Sequence, residues 1–413
     1  MTSAFSDLFR AFARIGFLSF GGPAAQISLM HEELVDRRRW ISEDQFLGAL
    51  SFCMLLPGPE AMQLATYAGW KLRGVPGGLV AGLLFVVPGA AVILVLALAY
   101  ASYADLNWVQ AAFLGVKAAV VAIVLRALWT LSRKALRGPL HWALAGVAFV
   151  AMYALSVPFP LVILAAALTG AVLTQTQHAP ETVSHPGHRH LWHTVPVWAA
   201  LWAAPLVLAY LSGASFLTEI GLFFSQLAIV TFGGAYAVLA YMTQSVVETH
   251  GWLSTDQMID ALGLAETTPG PLILVTEFVG LLAGFLKGGW PLALMAGALT
   301  LWVTFVPCFL WIFAGAPYVE WLLAKPRLRG ALAGISAAVV GVILNLALWF
   351  ALHVLFDTVR VTGWGAVPLW SSLSPVALAL TLASTLLLVV LRWPIALTLA
   401  LSSGLALGLF ALL

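Results

Sequence analysis

Charge is what this chain has least of. Asp, Glu, Lys and Arg make up 9% of its 413 residues, against about 25% in an ordinary soluble domain. A chain so poor in charge cannot cover a water-facing surface; its net charge of +2 says little about partners, since what matters is where the charges lie, and no nucleic-acid partner is expected. Cysteine is nearly absent as well. The two present, Cys53 and Cys308, do not fall at equivalent places in the repeat described below, so no disulfide is inferred. There is no Walker motif, no metal-ligand cluster inside an apolar segment and no nucleophile–base arrangement. ATP-driven, metal-dependent and enzymatic readings therefore lose their support, and no cofactor is expected. Asp7, Arg10 and Arg14 interrupt the first apolar stretch, so no cleavable signal peptide is read there. What fills the chain is apolar: 62% of residues are hydrophobic, in several runs long enough to cross a bilayer. This predicts an all-α polytopic membrane protein.

Two of those runs are interrupted in the same way. Pro57-Gly58-Pro59 lies within Phe46 to Trp70, and Pro269-Gly270-Pro271 lies 212 residues later. At that spacing Phe20-Gly21-Gly22 also matches Phe232-Gly233-Gly234, Trp40 matches Trp252, and Asp44-Gln45 matches Asp256-Gln257. Beyond the second break the spacing becomes 219, pairing Pro88 with Pro307 and Ala118 to Val121 with Ala337 to Val340. Chance does not hold such a register, so the chain is an internal duplication. The predicted parts are a first membrane repeat (1–175), a His-containing cytoplasmic linker with a linking helix (176–212) and a second repeat (213–413). Duplicated halves with interrupted helices at mid-membrane are a common plan among secondary transporters.

Further spans are expected near 76–102, 108–131, 139–155, 160–175, 194–212, 291–314, 331–356, 372–391 and 394–412. If every apolar stretch crosses once there are thirteen crossings. If the four broken stretches are re-entrant hairpins there are nine. The hairpin reading is preferred because it leaves only Lys287 and Arg360 as external loop cations. In both readings the repeats are inverted, and residues 46–56 reach mid-membrane, about 16 Å at 1.5 Å per residue.

A half-helix beginning at mid-membrane points N–H groups and a positive dipole end inward. Phe20, Gly21, Gly22, Pro23 and Gln26, then Pro57, Gly58 and Pro59, and the second-half set Gly233, Gly234, Thr268, Pro269, Gly270 and Pro271 are therefore the candidate anion-binding residues. Intramembrane charges add to them, being costly and usually functional. Lys117 is a candidate counter-charge for a dianion; its structural alternative is a pair with Glu60. Arg14, Glu60, Arg126 and Glu277 are candidates for proton coupling or charge pairing, and Glu266 has either that role or a structural one. Arg37 to Arg39 mark the cytoplasmic face. His178, His185, His188, His190 and His193 are too loosely spaced for a metal site and read as linker.

The ordered set Phe20-Gly21-Gly22-Pro23 with Gln26, Trp40 to Gln45, Pro57-Gly58-Pro59 with Gly69, and its second-half copy resembles the chromate ion transporter family in its long, two-domain form. The resemblance covers about residues 5 to 410. It implies a multi-pass protein of the bacterial inner membrane that exports chromate on the proton motive force, with sulfate as competitor. The implied partners are chromate or sulfate dianion, protons, the lipid bilayer and a second copy of the chain as homodimer. The second half departs from the first, with Ala235 where the first has Pro23 and Leu272 where it has Glu60. The residues alone say only that an oxyanion binds at the breaks. A sulfate carrier or an anion channel using the same half-helices stays open.

Overall fold

The computed structural model describes residues 5–173, 191–232, 235–323, 325–362 and 365–412. Gly233, Gly234 and four of the five linker histidines (His178, His185, His188 and His190) lie outside these. In the first half the helices are α1 (Phe5–Leu18), α2 (Gly22–His31), α3 (Glu43–Cys53), α4 (Glu60–Tyr103), α5 (Asn107–Ala135), α6 (Pro139–Tyr153) and α7 (Phe159–Leu173). Helix α8 (Leu191–Leu211) follows. The second half has α9 (Ser215–Val230), α10 (Ala235–Gln244), α11 (Thr255–Thr267), α12 (Val275–Gly315), α13 (Val319–Leu323), α14 (Pro326–Leu355), α15 (Pro375–Thr385) and α16 (Ile395–Leu412). A two-stranded hairpin, β1 (Val359–Thr362) and β2 (Gly365–Pro368), interrupts the helices and was not foreseen. Among the described residues six helical segments are long and apolar enough to cross a membrane, and four shorter helices are predominantly apolar. The chain is an all-α polytopic membrane protein.

The same local devices occur twice. α2 and α10 each run into a π-helical turn, Glu32–Arg37 and Ser245–Thr249. Ser42 and Gln45 cap the start of α3 reciprocally, and Ser254 and Gln257 cap α11 in the same way. Each such box satisfies two N–H groups that a helix start would leave without partners. α4 and α12 are each two helices turned back at a glycine: Gly74 has φ 63° and Gly289 has φ 72°. The arms then pack so closely that a Cβ on Gly69 would strike Gly77 O, and one on Gly284 would stand 2.7 Å from Leu292 O.

The chain packs as two compact units, each drawing on both halves. One comprises Met1–Ala97, Thr176–Ala235 and Thr268–Leu328, the other Leu98–Gln175, Tyr236–Thr267 and Arg329–Leu413. In the first, α12 lies on α8 and α9. Gly78 and Gly82 of α4 admit the rings of Phe313 and Phe309, each 2.6 Å from where a Cβ would stand, and Trp198 stacks on Phe309. In the second, α5 is held by α11, α15 and α16. Ser402 Oγ donates to Gly115 O at 2.8 Å across that contact. Small residues at crossings and hydroxyl–carbonyl bonds are the means available to helices in lipid, where apolar burial gives no preference for a neighbour over an acyl chain.

Candidate functional site

The breaks lie in the first unit, and the sequence explains each locally. α1 ends where Ser19 Oγ turns back to Ile15 O at 2.5 Å, and α9 ends where Thr231 Oγ1 turns back to Leu227 O at 2.5 Å. Such bonds compete with the helix ladder. Gly21 and Gly22 then take positive φ (88° and 80°), and Pro23 falls in the first turn of α2, where its missing N–H is no loss. Gly58 has φ 120° and Gly270 φ 88°.

The two halves meet at these points through a reciprocal pair of main-chain bonds. Gly58 N–H donates to Thr231 O at 2.8 Å, and Gly270 N–H donates to Ser19 O at 2.9 Å. Donor and donor, acceptor and acceptor, are each 212 residues apart. Two glutamines of the first half donate to carbonyls of the breaks. Gln63 Nε2 donates to Pro57 O at 2.7 Å. Gln26 Nε2 donates to Gly270 O at 2.6 Å and reaches Ser19 O at 3.3 Å. Gln26, Gln63, Ser19, Thr231 and Thr268 are all buried. Around Gly58 there is no spare room: a Cβ there would stand 2.8 Å from Gln63 Nε2 and 2.9 Å from Cys308 Sγ. Gly89 of α4 is met more closely still, since a Cβ there would strike Pro269 O.

The N–H groups of Gly58 and Gly270, expected to face a ligand, are therefore committed to the opposite half. Donors for an anion are left to the first turns of the half-helices, which have no intrahelical acceptors. In α4 the first main-chain pairing is Gln63 N–H to Pro59 O at 3.1 Å. Glu60 opens α4 on this first turn and is partly buried. Glu277 is buried near the start of α12, and its Oε2 has no hydrogen-bond partner among the described residues. Thr276, its neighbour in sequence, contacts Thr304 of the same helix, Oγ1 to Oγ1 3.4 Å. Phe20 and Arg14 are exposed.

Lys117 and Arg126 belong to the second unit. Lys117 Nζ lies 2.5 Å from Asp256 Oδ1 and 3.8 Å from Asp260 Oδ1, so the carboxylates beside it are on α11. Tyr100 O–H donates to Asp260 at 2.8 Å, and Tyr236 O–H donates to Glu266 at 2.8 Å. Asp260, Gln63 and the hydroxyl pair Ser19 and Thr231 were not singled out from sequence. The recurrence of Ser19 and Thr231 at the repeat spacing was the available signal.

In the polar turn after α2, Arg37 pairs with Glu32 at 2.7 Å and Arg38 with Glu33 at 2.7 Å. Much of the basic run is thus neutralised within its own turn. His31 lies between Glu43 (2.6 Å) and Asp36 (3.3 Å). The hydrogen bond to Glu43, with the charge of both carboxylates behind it, raises its pKa above the usual 6.5 against a smaller opposing effect of burial.

The sequence profile described as Chromate transporter matches residues 6–171 and 218–409. A protein of Synechococcus elongatus named "Probable chromate transport protein" is 32% identical over 337 residues, 82% of each chain. Proteins named "Chromate transport protein" are 30% identical in Cupriavidus metallidurans, over 86% of this chain and 85% of that one, and 34% identical in Pseudomonas aeruginosa, over 82% and 79%. No solved structure matches the chain.

Proposed function

The chain belongs to the chromate transporter family, and on that premise we propose that it exports chromate across the bacterial inner membrane, driven by the proton motive force, with sulfate competing for the same site. It is a multi-pass membrane transporter and not an enzyme. The observation that carries the reading is the reciprocal crossing of Gly58 with Thr231 and Gly270 with Ser19. Interrupted backbone is tolerated at membrane depth only where protein or a polar cavity satisfies it. Here each half satisfies the other's break, fixing the half-helix ends in place. In this reading the repeats 1–175 and 213–413 are inverted, the broken segments are re-entrant, and the half-helix starts meet as an oxyanion site.

The first turns of α2 and α4 supply N–H donors and positive dipole ends, which favour a dianion without a dedicated cation. Glu60 occupies the same helix end. Its charge state bears on any oxyanion held there, and this linkage makes Glu60 a candidate carrier of the coupled proton. Glu277 is the second candidate for that linkage. Lys117 enters as a charge partner of Asp256 and Asp260 rather than as a ligand to the oxyanion. Export is the direction the membrane potential favours, since each charge leaving a negative interior gains about 2.3 kcal/mol per 100 mV and a dianion carries two.

The test is chromate uptake into everted membrane vesicles, with and without a proton gradient and with sulfate as competitor. Saturable, gradient-dependent accumulation inhibited by sulfate is expected. Flux that ignores the gradient would point to a channel, and flux of sulfate without chromate to a sulfate carrier.

A further inference from the structure

A second ionisable cluster lies in the unit that does not contain the breaks. Asp260 is 5% exposed. One of its oxygens accepts from Tyr100 O–H at 2.8 Å. The other, Oδ1, lies 3.8 Å from Lys117 Nζ and has no hydrogen-bond partner among the described residues. Lys117 is shared, because its shorter contact, 2.5 Å, is to Asp256 one helical turn earlier on α11. The Asp256 side chain is 73% exposed and that of Asp260 is 7% exposed. One end of the cluster therefore meets the outside of the protein and the other is sealed.

The charge count does not close. Two carboxylates share one ammonium, so the fully ionised cluster carries a net negative charge, and the excess falls on the buried member. An uncompensated charge in such a place is expensive, and the group takes a proton instead. Among the described residues no second cation pairs with Asp260, and Arg126, also on α5, lies more than two turns beyond Lys117. α5 gives Lys117, the end of α4 gives Tyr100 with Asp105 just beyond, α11 gives Asp256, and α16 carries no titratable residue. Tyr100 can hold the carboxylate in either state, donating to one oxygen while a proton sits on the other.

We infer that Asp260 is a proton-binding group of the transport cycle, loaded from water past Asp256 and balanced in its ionised state by Lys117. The inference rests on the proton-coupled reading above and adds to it a site in a different compact unit from Glu60 and Glu277. Lys117 then sets how readily Asp260 gives up its proton, and Asp256 sets how much of the lysine's charge Asp260 can use.

The test uses the full chain in proteoliposomes, with the membrane potential clamped by potassium and valinomycin. Chromate flux is measured as a function of an imposed pH difference. Chromate's own protonation is common to every variant, so differences between variants belong to the protein. Asp260→Asn should reduce pH-driven flux at least tenfold more than it reduces gradient-free chromate exchange, and Asp260→Glu should restore the pH response. Asp256→Asn, at an exposed position that folding tolerates, leaves Lys117 to Asp260 alone. It should lower the midpoint of the pH response by about half a unit or more, the sign expected when an opposite charge is freed to favour ionisation. A pH response retained in Asp260→Asn, or a midpoint unmoved in Asp256→Asn, would overturn the inference. A wild-type protein indifferent to the pH difference would instead sink proton coupling itself.

Discussion

Replacing Gly58 by alanine separates two costs that the structure assigns to different glycines. At Gly22, φ is 80° and a Cβ would meet nothing within 4 Å, so Gly22→Ala incurs backbone strain alone, about 1–2 kcal/mol for an L-residue in that region. At Gly58, φ is 120° and the Cβ would stand 2.8 Å from Gln63 Nε2 and 2.9 Å from Cys308 Sγ. Either neighbour must move. Overpacking of a filled site costs about 1–3 kcal/mol, and losing the Gln63 bond to Pro57 O adds about 0.5–1.5 kcal/mol. The gain from restricting the unfolded chain is common to both variants and cancels. Gly58→Ala should therefore be less stable than Gly22→Ala by about 1.5–4.5 kcal/mol, the sum of those two ranges. Adding Cys308→Ala to Gly58→Ala should recover part of the difference. The assay is thermal unfolding of the purified protein in detergent, followed by tryptophan fluorescence and paired with vesicle transport. Equal stability of Gly22→Ala and Gly58→Ala would refute the claim that Gln63 and Cys308 fill the space over the break.

Gln26→Leu removes the donor to Gly270 O and leaves a buried carbonyl unsatisfied, a loss of about 1–3 kcal/mol; it should lower the unfolding temperature and chromate flux together, and a stable, fully active variant would count against it. Glu60→Gln should flatten the pH dependence of chromate affinity measured by binding to purified protein, since no carboxylate then titrates at the α4 terminus. For His31 the sign follows from a raised pKa. The stabilisation from Glu43 and Asp36 is fully present below about pH 6.5 and is lost as pH rises through the higher folded-state value. His31→Gln should thus be less stable than wild type in acid and equal to it in alkali, and a difference independent of pH would exclude ionisation as its source.

Much of the fold is legible because membrane helices announce themselves by length and composition. α5 (Asn107–Ala135) and α8 (Leu191–Leu211) fall where apolar runs predict them. The breaks are legible because Pro and Gly act on the backbone locally, and the duplication marks them twice. Which atoms the breaks bind is not legible. Gly58 and Thr231 are far apart in sequence, and nothing in either neighbourhood records the bond between them. The same holds for Lys117. A lysine in an apolar run asks for a partner, and Glu60 was a reasonable candidate by depth. Asp256 and Asp260 sit beside it because α11 packs on α5, a tertiary fact with no local signature. The β1–β2 hairpin was missed because Val359–Thr362 is short and its Arg360 reads equally well as a loop.

The reciprocal bonds between the breaks run from main chain to main chain, and such bonds do not read side chains. Ser19 faces Gly270 and Thr231 faces Gly58 through atoms that every residue possesses. The halves of a duplicated protein are ordinarily tied together by packing, so a change on one side demands an answer on the other. Here the tie at the centre makes no such demand. Glu60 can stand where the other half has Leu272, and Lys117 where it has Ser336, while the joint that holds the two breaks together stays the same. A joint that is the same in both copies thus carries side chains that differ, and each copy is free to place charge where the other has none.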